Sequence, residues 1–157
     1  DFDDIIYVTV KLLQENEDVR TYYQRKFRYV MVDEYQDTNH MQYLLTSLLA
    51  GGQENICVVG DDDQSIYRFR GATIENILNF EKQYRGSRTI RLEQNYRSTQ
   101  SILNAANAVI AHNIGRKGKR LWTSNGQGEP ITVYESMDEN SEGSYVAGKI
   151  LSNKAKN

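Results

Sequence analysis

Tyr29-Val30-Met31-Val32-Asp33-Glu34 and Ile56-Cys57-Val58-Val59-Gly60-Asp61-Asp62-Asp63 decide the fold. Each is a short apolar run that stops abruptly at acidic residues, the pattern of a buried strand ending in a polar turn. Between them, Asp37, Thr38 or Asn39 can cap a helix that carries Met41, Leu44, Leu45, Leu48 and Leu49, and Gly51-Gly52 stops it. Strand, helix, strand in this order predicts an α/β fold with a mainly parallel sheet and flanking helices. In such sheets ligands bind outside the carboxyl ends of the strands, where both acidic groups fall.

The reading extends outward in kind. Ile5, Ile6, Val8, Leu12 and Leu13 predict an opening helix, and Asp18 can cap a second through about Phe27. Downstream, a helix is expected over 73–84, a third strand over 89–92 and a helix carrying Ile102, Leu103, Ala106, Val109 and Ile110 after Ser98 or Thr99. A basic loop lies within 115–128, a fourth strand over 131–134 and a last helix from about Glu142.

Composition bounds the class. The 157 residues are 39% apolar and 25% charged, which supports a folded core in one domain or two partial ones. A chain of this size is expected to bury about 68–70% of its unfolded surface. The lone Cys57, placed in a buried strand, excludes an intramolecular disulfide and a cysteine-rich zinc site. No run of 18 apolar residues offers a membrane span, and Asp1 opens the chain as a segment of a longer protein or a processed one would. The net charge of −2 conceals a division: residues 1–63 hold 13 acids and 5 bases, while residues 64–120 hold 3 acids and 11 bases. The basic block suits an anionic partner or a solvated face.

At the first acidic end, Asp33 can hold a divalent cation and Glu34 can orient or deprotonate an attacking water, the two roles phosphoryl transfer to water requires. Equally, both can begin a turn or cap a helix. At the second, the calcium-loop pattern fails, because its required Gly falls on Ile66 and its bidentate Glu on Ala72. Gln64 can contact a phosphate or its attacking water, or simply shape the turn. In Ser65-Ile66-Tyr67-Arg68-Phe69-Arg70-Gly71 the alternation of rings and guanidinium groups suits single-stranded nucleic acid, unless Tyr67 and Phe69 are core residues. Asn95-Tyr96-Arg97-Ser98 sets a ring and a cation directly before a helix, an end that favours anions.

Gly143 through Ile150 matches the phosphate-loop spacing except at its last position, where Ile150 cannot ligate magnesium. Its Tyr145 and Val146 fit a helix interior, so no phosphate-cradling loop exists within these residues. His40 and His112 are isolated, and Trp122 reads as a packing anchor or a nucleic-acid contact.

Taken together, the stretches Val32–Asn39, Val59–Ala72 and Leu92–Thr99 resemble, in order and spacing, the second, third and fourth signature motifs of UvrD/PcrA/Rep-type superfamily 1 DNA helicases. The opening residues Asp1–Ile5 and the helix over 102–113 also look like that family. The resemblance implies a RecA-like P-loop NTPase sheet divided between partial motor domains, 1–90 ending the first and 91–157 beginning the second. By it, Asp33 holds Mg2+, Glu34 activates the hydrolytic water, and Gln64 senses the γ-phosphate of ATP and couples it to DNA. Tyr67, Phe69 and Arg70 line the single-strand track. Tyr96 stacks on adenine and Arg97 acts as an arginine finger. Close relatives often carry Trp where Phe69 stands, a larger ring with an added donor.

The implied parent is a cytoplasmic, ATP-dependent 3′-to-5′ helicase in DNA repair, recombination or replication. It acts on single strands and single-strand/duplex junctions, with protein loading partners and no membrane. The nucleotide-binding loop of the family lies upstream of these motifs, so residues 1–157 alone are expected to lack ATPase activity. A helicase–nuclease subunit and a non-catalytic single-strand-binding module are the competing expectations.

Overall fold

A computed structural model describes residues 2–155; Asp1 of the family-like opening lies outside them. Helix α1 (Phe2–Glu15) runs almost directly into α2 (Glu17–Lys26), and strand β1 (Val30–Val32) follows. Helix α3 (His40–Ala50) then leads to β2 (Ile56–Val58). The strands pair in parallel, Val30 with Ile56, Met31 with Cys57 and Val32 with Val58. This is the expected strand–helix–strand unit, a small two-stranded parallel sheet in a mixed helix and strand chain. Of the three candidate caps for α3, Asn39 is the one used. Its side chain accepts from the Gln42 N–H at 2.9 Å, and the Gln42 side chain accepts from the Asn39 N–H at 2.9 Å. That reciprocal box satisfies two otherwise orphaned donors and fixes where the helix begins.

The core gathers where α1 and α3 pack on one face of the sheet. Val10 and Leu13 of α1 and Ala50 of α3 are buried there, and Tyr35 is buried with its ring edge-on to Phe80 at 5.9 Å. The inward stripe of α1 is Ile6, Val10 and Leu13, so Ile5, Val8 and Leu12 of the expected stripe point outward. On the other face of the sheet, Met31 is 76% exposed and Cys57 is exposed, where the sequence placed a buried strand. A parallel strand reads as continuously apolar because both its faces are meant to be covered; here the described residues cover one. The accessible surface, 12244 Å², exceeds the roughly 8,100 Å² typical of an 18 kDa monomer. Burial is therefore nearer half of the unfolded surface than the expected two-thirds.

Other expectations shift as well. The helix expected over 73–84 breaks at Asn79 into α4 (Glu75–Leu78) and α5 (Phe80–Gln83). The second helix is capped at Asn16 rather than Asp18, and the last at Asp138, whose carboxylate accepts the Ser141 N–H. Residues 89–92 and 131–134 are not strands. A strand needs a partner, and the described residues supply only an isolated parallel bridge, Gln94 to Trp122. Helix α6 (Gln100–Ile110) buries Leu103 and leaves Ile102 and Val109 of its expected stripe exposed. Gly143 and Gly148 lie inside α7 (Glu139–Lys154), so the near-match to a phosphate loop is helix, as the sequence indicated. No helix among the described residues is long and apolar enough to cross a membrane.

Candidate nucleotide and DNA site

Parallel pairing brings the two acidic strand ends side by side. The ladder continues past the strands, with the Val59 N–H donating to Val32 O at 2.8 Å and the Tyr35 N–H to Val59 O at 2.9 Å. Glu34 turns the chain in the left-handed region, φ 49°, a conformation that costs a non-glycine residue of order 1 kcal/mol. A tight turn over Tyr35–Asp37 follows. The strained residue is therefore also the one proposed to handle water.

Gln36, 1% exposed, joins the two ends. Its amide nitrogen donates to Glu34 Oε2 at 2.8 Å and to Asp37 Oδ2 at 3.2 Å. Its amide oxygen accepts the Asp61 N–H at 2.9 Å. Asp61 in turn accepts the Gln64 amide through Oδ2 at 2.8 Å and the Asp63 N–H through Oδ1 at 3.0 Å. Glu34 and Gln64 are thus brought together by a continuous hydrogen-bonded path, Glu34–Gln36–Asp61–Gln64. The sequence reading missed Gln36, because a single polar residue in a one-turn helix has no periodicity to reveal it. Gly60 makes room for it: a Cβ there would sit 2.6 Å from Gln36 Oε1.

Asp33 is exposed and accepts the Glu34 N–H through Oδ1 at 2.9 Å. Its second oxygen makes no hydrogen bond among the described residues. No cluster of three metal-ligating side chains exists among the described residues. This donor set suits Mg2+, a hard cation that keeps several waters and takes one or two carboxylates beside substrate phosphates, and it does not suit an all-protein metal cage.

The aromatic–cationic stretch folds into a turn over Arg68–Arg70, ended by Gly71 at φ 86°. Phe69 is 78% exposed and Tyr67 is also exposed, so neither is a core residue. Their ring centroids lie 6.0 Å apart, and the Arg70 guanidinium sits 5.3 Å from one and 5.5 Å from the other. The result is an open, cation-bearing stacking surface.

Tyr96 is 76% exposed, and its hydroxyl donates to Gln94 Oε1 at 3.0 Å. The Arg97 and Ser98 N–H groups both donate to Asn95 Oδ1, at 2.9 and 2.7 Å. Asn125 braces the same turn, its amide nitrogen donating to Tyr96 O at 2.9 Å and to Ser98 O at 3.3 Å. These bonds hold Tyr96 and Arg97 outward just before α6, and the Arg97 guanidinium has no partner among the described residues. No hydrogen bond or ion pair joins Tyr96 or Arg97 to Asp33, Glu34 or Gln64 among the described residues. They form a second cluster.

The basic loop corrects the reading of the charge division. Arg116 pairs with Asp63 at 2.6 Å, the Lys117 N–H donates to Asp62 Oδ2 at 2.7 Å, and Lys119 pairs with Asp61 Oδ1. Lys117 Nζ also reaches Glu81 at 3.6 Å. Arg116 and Lys119 of the basic block are therefore committed to the acidic block of the same chain. Burial pushes the Asp61 carboxyl up, but the Lys119 ammonium and the Gln64 amide outweigh it and hold Asp61 below its ordinary value. Trp122 is half exposed beside this loop, its carbonyl accepting the Asn95 N–H at 2.8 Å.

The chain belongs to the UvrD/REP helicase family: the profile of the UvrD/REP helicase N-terminal domain matches residues 1–85, and that of the UvrD-like helicase C-terminal domain matches residues 90–157. Among curated proteins it is 56% identical over 151 residues to the ATP-dependent DNA helicase PcrA of Staphylococcus epidermidis and 57% identical to that of Staphylococcus aureus. Each alignment takes in 96% of this chain and 21% of the relative, so the chain spans about a fifth of the length of these proteins.

Proposed function

We propose that this chain is the central part of an ATP-driven DNA helicase that moves 3′-to-5′ along single strands, serving repair, recombination or replication in the cytoplasm. Residues 1–90 complete the first RecA-like motor domain and 91–157 begin the second. The observation that carries the reading is the path Glu34–Gln36–Asp61–Gln64, which links the residue suited to water activation with the residue suited to phosphate sensing across two adjacent parallel strand ends. Family membership and the names of the PcrA relatives support the substrate pair, ATP and DNA.

In this reading Asp33 would hold Mg2+, which would supply charge neutralisation at the phosphates. Glu34 accepts a proton from the attacking water, its carboxylate steadied by the Gln36 amide. Gln64 reads the terminal phosphate. Arg97 meets the charge that develops there, from the second cluster, when the two clusters close on nucleotide. Tyr96 stacks on the base. Tyr67, Phe69 and Arg70 grip single-stranded DNA, and junctions are engaged where that strand enters the duplex. Residues 1–157 by themselves contain no phosphate loop and do not turn over ATP.

Strand displacement by the intact protein on duplexes with a 3′ or a 5′ single-stranded tail tests the polarity. Unwinding of the 3′-tailed substrate alone supports the reading. Unwinding of the 5′-tailed one contradicts it, and single-strand binding without unwinding of either moves the protein to the class of binding modules.

A further inference from the structure

The acidic turn at Asp61–Gln64 has two neighbours. On one side is Gln36, within the same strand–helix–strand unit. On the other is the loop of residues 115–120, reached only after α6. Gln36 holds the Asp61 N–H, while the loop reaches its carboxylate: Asp61 Oδ2 accepts the Gln64 amide, and Oδ1 accepts Lys119 Nζ and the Asp63 N–H.

We propose that Lys119 is a positioning residue for Gln64, holding the Asp61 carboxylate in the one orientation that presents the Gln64 amide, so that the loop's docking on the acidic turn sets whether Gln64 is aimed. This deepens the proposed function and rests on Gln64 being the phosphate sensor. A carboxylate on a short side chain has few rotamers. With Lys119 and the Asp63 N–H on one oxygen, the other oxygen must face Gln64. Lys119 and Asp61 are both largely buried, so the pair is screened far less than a surface bridge.

The rest of the loop is built to deliver Lys119. The Arg116 guanidinium donates to Asp63 at 2.6 Å and to Lys119 O at 3.0 Å, tying the loop to itself and to the turn in one residue. Arg91 donates to Gly118 O at 3.1 Å. The Arg116–Asp63 pair leaves Arg116 Nε and Asp63 Oδ1 buried without partners among the described residues, so it carries a desolvation cost that its geometry does not fully offset. A contact with that cost is one that separates readily when the two segments move apart. Separation would leave Asp61 Oδ1 with the Asp63 N–H alone and loosen the carboxylate that presents Gln64. Docking would restore both. Nucleotide chemistry on one segment is thereby made to depend on the placement of the other.

The test compares Lys119→Ala, Lys119→Arg and Lys117→Ala in the intact protein that contains this chain, with Glu34→Gln as the reference for the proposed function. ATP hydrolysis is read with and without single-stranded DNA, and thermal unfolding is followed in parallel. Lys119→Ala is expected to lower the DNA-stimulated rate about tenfold, the usual scale for a residue that orients a reacting group through another. Lys119→Arg should recover most of it. Lys117→Ala, whose Nζ pairs with Glu81 and with no other acid among the described residues, should stay within about twofold of the parent. An unchanged stimulated rate in a folded Lys119→Ala protein would overturn the proposal. So would equal losses in Lys119→Ala and Lys117→Ala, which would mark a general charge effect. If Glu34→Gln leaves hydrolysis intact, the proposed function itself fails, which is a separate outcome.

Discussion

Gln36 holds Glu34 from below, its amide nitrogen 2.8 Å from Glu34 Oε2, while the oxygen of the same amide accepts the Asp61 N–H. One buried side chain therefore reads both acidic strand ends at once. Because an amide has one donor end and one acceptor end, replacing it with any residue lacking either end breaks one of the two links.

Gln36→Ala leaves the Asp61 N–H without its partner and should destabilise the protein by about 1–3 kcal/mol. Gly60→Ala acts on the same point from the other side. Its Cβ would fall 2.6 Å from Gln36 Oε1, 2.8 Å from Ile77 Cδ1 and 3.2 Å from the Tyr35 nitrogen. Overpacking there should cost about 1–3 kcal/mol. Since the Gly60→Ala clash falls on the side chain that Gln36→Ala removes, the double variant should lose less than the sum. Denaturant unfolding of the four proteins measures this.

Phe69→Ala removes the most open ring of the stacking surface. Single-strand affinity should fall by the value of about one stacked base, roughly 1–3 kcal/mol, with the salt dependence unchanged. Arg70→Ala should instead lower the salt slope, because it deletes a cation. Phe69→Trp should tighten binding through added ring area. Fluorescence anisotropy on a labelled oligonucleotide at several salt concentrations separates the three.

Two groups give the stability a pH dependence with opposite signs. Tyr35 is fully buried with its hydroxyl unpartnered among the described residues, and burial pushes its phenol up to about 12 from 10.0. The fold favours the neutral phenol, so its contribution is complete below pH 10.0 and is lost as pH rises through about 12. Tyr35→Phe should remove this alkaline limb without loss of stability at neutral pH. Asp61 is held below its ordinary value, so its contribution is present above that value and lost as pH falls through the depressed one. Lys119→Ala should shrink that acid limb. Unfolding midpoints across pH check both.

The strand–helix–strand unit was legible because its signals are local. Val30–Val32 and Ile56–Val58 are apolar runs ended by acids, and Asn39 with Gln42 writes its own cap. The residues at 89–92 and 131–134 carry the same local signal and stay unpaired, because pairing belongs to the neighbour and not to the strand. Outward-facing Met31, Ile102 and Val109 show the same limit from the packing side. At the site, Asp33, Glu34, Gln64, Tyr96 and Arg97 were visible as residue types at strand and helix ends. The Asp61–Lys119 pair was not, since its partners are far apart in sequence. A signal for it existed: an acidic block of net −8 facing a basic block of net +8 predicts that the chain neutralises itself.

The most direct test of the central claim is ATP hydrolysis by the intact protein, with and without single-stranded DNA, beside its Glu34→Gln variant. Glu34→Gln keeps the oxygen that Gln36 holds and removes the base, so folding and DNA binding should persist. Strong stimulation by DNA that falls about a hundredfold or more in the variant is the expected result. A folded parent that binds single strands yet hydrolyses no ATP, or a variant that hydrolyses as fast as the parent, would contradict it.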